Sequence, residues 1–527
     1  MEKVHDSKLN FDRYNLLMAN AMIASGLGDR QAHFYVTARK NAPGSTYNVT
    51  GGLRYMIHLL ANFEPTQDDI DYLKHLPIKN ETIDKICNFK QLNKLNIDAM
   101  PEGTISFKNN PLMRISGPAW QATLIEQMAN NPYDALSIIA TNASHMVYAS
   151  KGKQKFTANS ARRFATLDSA PWGERAAYIG GFDQVSWERA GAMFRSIPAF
   201  GTMGHLLIQF FGTSYDAFKS KVLADIESTE ELAERTGEKV DPICSFLVDT
   251  YSTFKEGIPA LLRVQKEVLE PLGYKLGSVR IDSGDSINIS NELRKILDEN
   301  GLQSTKIVDS NDVTYNKIVQ IESLGAPIDA IGSGAATVDN KGDISSVCKI
   351  TAVERVPGVL YASAKASEYV SKATLPGIFQ PYRIYNNDGK IMTHYTNLDS
   401  EGVPTIKSID TLYDPENPNN SKVLTDKNVS AIEPLFVPIY RKGELVYDIP
   451  ESRDVRAYCL AEQNKLHDEY RIVNGEPKIT HNISNKLYNL QKQVIAHSKE
   501  GDVLSDDFIL LPKQATKVKP VRMEISR

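Results

Sequence analysis

The sequence predicts an α/β protein built on a parallel sheet or barrel, and three observations carry that prediction. From about residue 116 to 360, short β-like runs alternate with helical runs, which is how parallel strands are wired. The runs SFLV, SVRI, TKIV and PIDAI are each followed at once by polar residues: Asp249, Asp282, Asp309 and the turn Gly332, Ser333, Gly334. At 527 residues the chain is too long for one simple core, and about two or three domains are expected.

Taken in order, FDRYNLLMANAMIASGLG reads as a helix. Leu16, Leu17, Asn20, Ala21 and Ala24 follow helical spacing, and Gly26 or Gly28 supplies the C-cap. AHFYVTAR alternates as a strand, and SIIATNASHMVYASKG is helical. SNELRKILDENG offers Ser290 as N-cap, Leu293, Ile296 and Leu297 on one face, and Gly301 as C-cap. NDVTYNKIVQIESLG is another amphipathic helix. SIDTLYDPENPNNSKVLTDKN (408–428) reads as a long loop or insertion. In ISNKLYNLQKQVIAHSKEG, Ile483, Leu487, Leu490 and Val494 mark a late helix, and the basic stretch KQATKVKPVRMEISR reads as a solvated tail.

The bulk numbers exclude several classes. Apolar content of 42% and charged content of 24% are those of an ordinary globular protein. A net charge of −4 argues against an electrostatic nucleic-acid binder. No apolar run approaches the ~18 residues of a membrane span, and MEKVHDSKLNFDRYN has no apolar signal core. Cys87, Cys244, Cys348 and Cys459 are far apart, with no metal-ligand spacing, so a cytoplasmic location is expected.

In LGSVRIDSGDSINIS two carboxylates, a hydroxyl and a glycine stand where a strand ends. In parallel α/β architectures the active site lies at the C-terminal ends of the strands. One loop acid alone is more often a solubilising or capping group, but polar ends on four successive units favour a shared pocket. The Gly-Ser-Gly turn of GSGAAT, with Ser283 and Gly284, can offer backbone N–H groups to phosphate, although a plain tight turn explains it as well. Asp282 and Asp285 can hold ribose hydroxyls or Mg²⁺, because hard cations choose carboxylate oxygens. Arg280 can balance a pyrophosphate, and the adjacent Arg162 and Arg163 can clamp phosphate. His205 follows a glycine-rich turn. A lone histidine is more often structural, yet here it is placed to act as nucleophile or base.

The order of PEGTISFKNNPLMRISGP, ERAAYIGGFDQVS, IPAFGTMGH, LVDTYST, VRIDSGD and IGSGAAT, extended by FDRYNLLMA, YNVTGGL and KATLPGIFQPYR, resembles the nicotinate phosphoribosyltransferases over most of the chain. The resemblance implies the fold of type II phosphoribosyltransferases, an irregular α/β barrel plus an α/β sandwich built from both chain ends. The expected division is 1–115 and 361–527 for the sandwich and 116–360 for the barrel. It implies transfer of phosphoribose from phosphoribosyl pyrophosphate to nicotinate, coupled to ATP hydrolysis, with Mg²⁺, in a homodimer with shared active sites. By motif, His205 matches the histidine that ATP phosphorylates. Asp282 and Asp285 match the acidic loop near ribose and metal, and Arg280 and Arg162 the phosphate contacts. Gly332, Ser333 and Gly334 match the 5-phosphate loop. Tyr14 matches an aromatic that stacks on the base from the neighbouring subunit.

The sequence also departs from that pattern. Asn159 and Ser160 stand where the family has Phe-Gly; Val185, Ser186 and Trp187 replace Thr-Ser-Asn; Leu206 replaces Ser; Asn142 and His145 replace a lysine and an arginine. Three readings follow: an active enzyme whose Trp187 replaces the lost stacking ring, a nicotinamide enzyme, or a non-enzymatic binder of nucleotide or partner. Ser186 leans toward nicotinate, since a carboxylate there would repel the acid. The polar cluster of His205, Arg162, Arg280, Asp282 and Asp285 weighs against a mere scaffold.

Overall fold

The structure, a computed structural model, describes residues 4–334, 338, 342–365, 374–409, 411–415, 421–424, 428–476, 479, 481–500 and 505–510. Two compact units result, one of Met1–Thr141 with Asn340–Arg527, the other of Asn142–Asp339. The expected boundaries at 115/116 and 360/361 both fall inside the first unit. The cause is strand pairing. Gln31–Ala38 pairs on one side with Pro111–Pro118 and on the other with Ser346–Val356, so both flanks are drawn into the N-terminal sheet.

That sheet has seven strands in the order Val359–Ala362, Ser346–Val356, Gln31–Ala38, Pro111–Pro118, Asn96–Ala99, Val437–Arg441, Glu444–Leu445, and every pairing is antiparallel. A four-stranded sheet runs Val429–Pro434, Phe379–Asn386, Ile391–Leu398, His481–Ile483. The helix Arg13–Ala24 forms where the sequence places it, but it buries Leu16, Ala19 and Ile23, while Leu17, Ala21 and Ala24, expected on the same face, are exposed. One core joins them to Val36, Ile115 and Trp120, and to Ile483 and Leu487 from the far end of the chain. The late helix spans Asn485–Glu500 and buries Leu487 and Val494; Ile483 belongs instead to the preceding strand. Within the 408–428 stretch Thr411–Leu412 pairs with Lys422–Val423. The basic tail from 511 onward lies outside the described residues.

The second unit is a parallel sheet of six strands, in the order Gln184–Val185, Lys155–Ala158, Ala330–Ser333, Lys306–Asp309, Ser278–Ile281, Ser245–Leu247. The helices Ser286–Glu299 and Tyr315–Leu324 are the crossovers that parallel neighbours require. Among the described residues no ladder joins the outer strands Gln184–Val185 and Ser245–Leu247, so the barrel expected from the resemblance is seen as a parallel sheet. The α/β class stands. The helix after Ile281 starts earlier than its sequence signal. Asp285 is its N-cap, accepting the Asn288 N–H at 3.2 Å, while Ser290 lies inside the helix with its hydroxyl on the Ile287 carbonyl. Among the described residues no helix is long and apolar enough to cross a membrane, and the four cysteines are free.

Candidate active site

Register decides which polar residues meet. Leu247 pairs with Arg280, and Asp309 with Ile281, in parallel ladders. Counting on by residue, Asp249, Asp282 and Ser310 end adjacent strands side by side. Asp309 is one position short, and its side chain turns inward with Ile281.

The contacts follow this register. Asp249 Oδ2 accepts the Asp282 N–H at 3.1 Å and the Ser283 hydroxyl. Asp282 Oδ1 accepts the Ser310 hydroxyl. Asp282 Oδ2 stands 3.5 Å from His205 Nε2, and the other ring nitrogen, Nδ1, is 3.0 Å from Thr250 Oγ1. The imidazole is therefore held between two strand-end loops at the start of the helix His205–Phe211. Arg280 donates to Thr202 Oγ1 at 2.8 Å and to the Met203 carbonyl at 2.7 Å, which ties the GTMGH turn to the sheet. Burial lowers the Arg280 pKa from its ordinary value, and the nearby Asp282 and Asp249 oppose the shift. Arg280 Nε and Asp249 Oδ1 are buried with no partner among the described residues. Polar groups left open in this way are what a bound ligand satisfies.

A cavity of about 360 Å³ opens on this cluster, lined by Arg162, Arg163, Arg280, Asp282, Gly332 and Gly334 together with Asn159 and the 310–312 loop. Three arginines and two glycines around one space make an anion cradle. A Cβ on Gly332 would lie 2.4 Å from Asn159 Nδ2, so any side chain there would displace the Asn159 amide. Gly284 has φ +76°, and its carbonyl accepts from Asn311 Nδ2 at 2.8 Å, which folds the acidic loop onto the neighbouring strand end.

Other expected residues sit elsewhere. Asp309 is fully buried and locks the fold, accepting from Ser286 Oγ at 2.7 Å, the Asn311 N–H at 3.0 Å and Lys317 Nζ at 3.0 Å. Ser333 is buried, with Oγ 3.8 Å from Met146 Sδ, while its two glycine neighbours face the cavity; the AAT that follows lies outside the described residues. Asp285 spends its carboxylate on capping, with Asn288 holding both oxygens. Arg163 pairs with Asp312 at 3.1 Å. Tyr14, in the first unit, is 46% exposed, and its hydroxyl accepts from Gln127 at 3.1 Å. Partial burial, with Glu126 next, raises its pKa above the ordinary phenol value.

Sequence reading passed over Thr202, Thr250, Ser310 and Glu174. The first three are neutral and gave no charge signal, although Thr202 stands in IPAFGTMGH, Thr250 in LVDTYST and Ser310 next to Asp309. Glu174 Oε1 accepts the Ser160 N–H at 3.2 Å and lies 3.5 Å from Ser186 Oγ, and its Oε2 accepts the Trp187 N–H at 3.0 Å. Two positions that depart from the family pattern, Ser160 and Trp187, thus meet on one carboxylate through their backbone N–H groups, beside Ser186. No group of three His, Cys, Asp or Glu among the described residues is arranged to hold a metal.

The chain is similar to known proteins over most of its length. Residues 9–129 match the nicotinate phosphoribosyltransferase N-terminal domain, and residues 380–491 match the C-terminal domain of the same family. The nicotinate phosphoribosyltransferase of Bacillus subtilis is 31% identical over 495 residues, covering 93% of this chain and 96% of that one. Nicotinate phosphoribosyltransferase 2 of Arabidopsis thaliana is 28% identical, covering 91% and 92%. A crystal structure of human nicotinic acid phosphoribosyltransferase has the same fold, with a TM-score of 0.75 at 22% identity over 92% of this chain and 99% of that one. A nicotinate-nucleotide pyrophosphorylase from Pyrococcus furiosus gives 0.63 at 23% identity, covering 88% and 99%. With strand-end acids, an arginine cradle and near full-length identity at this level, the chain belongs to the nicotinate phosphoribosyltransferase family.

Proposed function

We propose that this protein joins nicotinate to phosphoribosyl pyrophosphate, giving nicotinate mononucleotide and pyrophosphate, and couples the transfer to ATP hydrolysis through His205, as an entry step of NAD salvage. The observation that carries the reading is the placing of His205 against Asp282, beside Arg280 and the arginine-lined cavity, at the C-terminal ends of parallel strands. The bond between the anomeric carbon and the pyrophosphate oxygen breaks, and its electron pair leaves with pyrophosphate. The pyridine nitrogen supplies the pair for the new bond. Positive charge grows on the sugar and negative charge on the leaving group, so carboxylates belong near the ribose and arginines near the pyrophosphate. Asp282 and Asp249 fill the first role, and Arg280, Arg162 and Arg163 the second. His205, its ring oriented by Thr250, attacks the γ-phosphorus of ATP with Nε2; ADP leaves, and water later releases phosphate.

Mg²⁺ usually binds through one or two carboxylates plus substrate phosphates, which suits a site with no closed cage of protein ligands among the described residues. Asp282 and the open Oδ1 of Asp249 would hold it; Asp285, engaged as a cap, fits less well. When bound, the ion supplies positive charge to the departing pyrophosphate. The family resemblance further supports a homodimer with Tyr14 reaching the partner's site, and the protein is expected to sediment as a dimer. The functional test offers the purified protein Mg²⁺ and phosphoribosyl pyrophosphate with nicotinate or nicotinamide. Nicotinate mononucleotide is the expected product. Turnover of the amide alone, or binding without pyrophosphate release, contradicts the reading.

A further inference from the structure

Glu174 lies in the helix Ala170–Gly180 with none of its surface exposed, one layer behind the cavity residues. Its partners are backbone and hydroxyl donors. The N–H groups of Ser160 and Ala161 come from the loop after the strand Lys155–Ala158, at the start of the tight turn Ala161–Arg163. The Trp187 N–H and Ser186 Oγ come from the loop after the strand Gln184–Val185, where Trp187 caps the helix Glu188–Met193. One carboxylate therefore joins the ends of two neighbouring strands. The first loop carries Asn159, Arg162 and Arg163 into the cavity. The second carries Ser186 and Trp187, residues the family pattern places around the base.

Such a group is costly. Burial pushes the Glu174 carboxyl up to about 7, and the backbone N–H groups only partly reverse the shift. An apolar side chain at this helix position would avoid that penalty. What the carboxylate provides instead is alignment, because its two oxygens fix two otherwise separate loops to one rigid helix.

We infer that Glu174 is a positioning residue which locks the arginine turn 160–163 to the Ser186–Trp187 loop, so that phosphate grip and base placement are set as one unit. The inference rests on the proposed phosphoribosyl transfer and adds to it a device outside the substrate-contacting residues. Glu174 itself does not line the cavity.

The test compares Glu174→Gln and Glu174→Asp with the wild type by steady-state kinetics and by amide hydrogen exchange. Glutamine keeps the shape but presents an NH₂ to backbone donors, and aspartate keeps the charge but withdraws it. The expected result is a rise in KM for both phosphoribosyl pyrophosphate and nicotinate, with kcat/KM falling about 10- to 100-fold, as small misplacements of reacting groups produce. Exchange at 160–161 and 186–187 is expected to quicken together. A purely structural glutamate would lower the thermal midpoint and the yield of active protein while leaving both KM values unchanged, and that result overturns the inference. Should both variants fail to fold, exchange in the wild type decides: fast exchange at either loop overturns it, and joint protection of the two loops supports it. If the wild type makes no nicotinate mononucleotide, the functional reading fails by itself, and the paired exchange of the two loops still reports on the lock.

Discussion

Single residues at this site do what their neighbours force on them. Asp249, Asp282 and Asp285 are chemically alike, yet one braces a loop, one faces His205 and one caps a helix. The sequence announced all three acids but not this division of labour, which follows from strand register and from where a helix starts. Asp309 shows the same limit, since an error of one residue in a strand end turns a pocket acid into a buried lock. Glu174 opens the quoted run ERAAYIGGFDQVS but carried no role in the sequence, because its partners lie on loops outside its helix. Its titration is predictable. The folded protein holds the Glu174 proton up to about pH 7, while an unfolded glutamate releases it near 4.5. The group thus favours folding below pH 4.5, and that advantage is lost as pH rises through 7, by about 3 kcal/mol at most. Chemical unfolding of wild type and Glu174→Gln across pH 5 to 8 should show a falling wild-type stability and a flatter variant; parallel curves would contradict it.

Elements were legible where their signals were local. Alternating runs placed the strands 278–281, 306–309 and 330–333 and their helices close to where they lie. Ladder neighbours and closure were not legible, because pairing joins residues far apart in sequence; the strand Lys155–Ala158 beside Ala330–Ser333 left no local trace. The loop that carries Asp249 depends on a close approach. The segment Thr253–Gly257 passes so near the end of its strand that a Cβ on Gly257 would fall 2.0 Å from the Val248 carbonyl oxygen. Gly257→Ala must push the segment away. Overpacking of this kind costs about 1–3 kcal/mol, so a lowered thermal midpoint is expected, and an unchanged midpoint would refute the close contact.

At the scale of the whole molecule, the first unit draws on both ends of the chain, and a buried polar network shows how they are joined. Arg383 is 2% exposed, pairs with Glu462 and donates to the Ile105 carbonyl at 2.6 Å and to His394 Nε2 at 3.0 Å. His394 Nδ1 in turn meets Asn110 Oδ1 at 2.6 Å. Burial, with Arg383 beside it, keeps His394 well below the ordinary histidine pKa, so the ring is neutral and can accept from Arg383. Glu462→Ala would strand the guanidinium without its counter-charge, a change that costs about 3–5 kcal/mol. Equilibrium unfolding would reveal the loss, and a loss below about 1 kcal/mol would mean the pair is dispensable. Residue patterns alone did not reveal this joining of chain ends; it came with the family resemblance, because no local periodicity reports on partners hundreds of residues apart.

The proposed role of His205 and the strand-end cluster around Asp282 is ATP-coupled phosphoribosyl transfer. The most direct measurement is nicotinate mononucleotide formation by wild type and His205→Ala, each with and without ATP. Product is expected from both proteins, raised by ATP in the wild type alone. Equal ATP stimulation of the variant, or no product from the wild type, would contradict it.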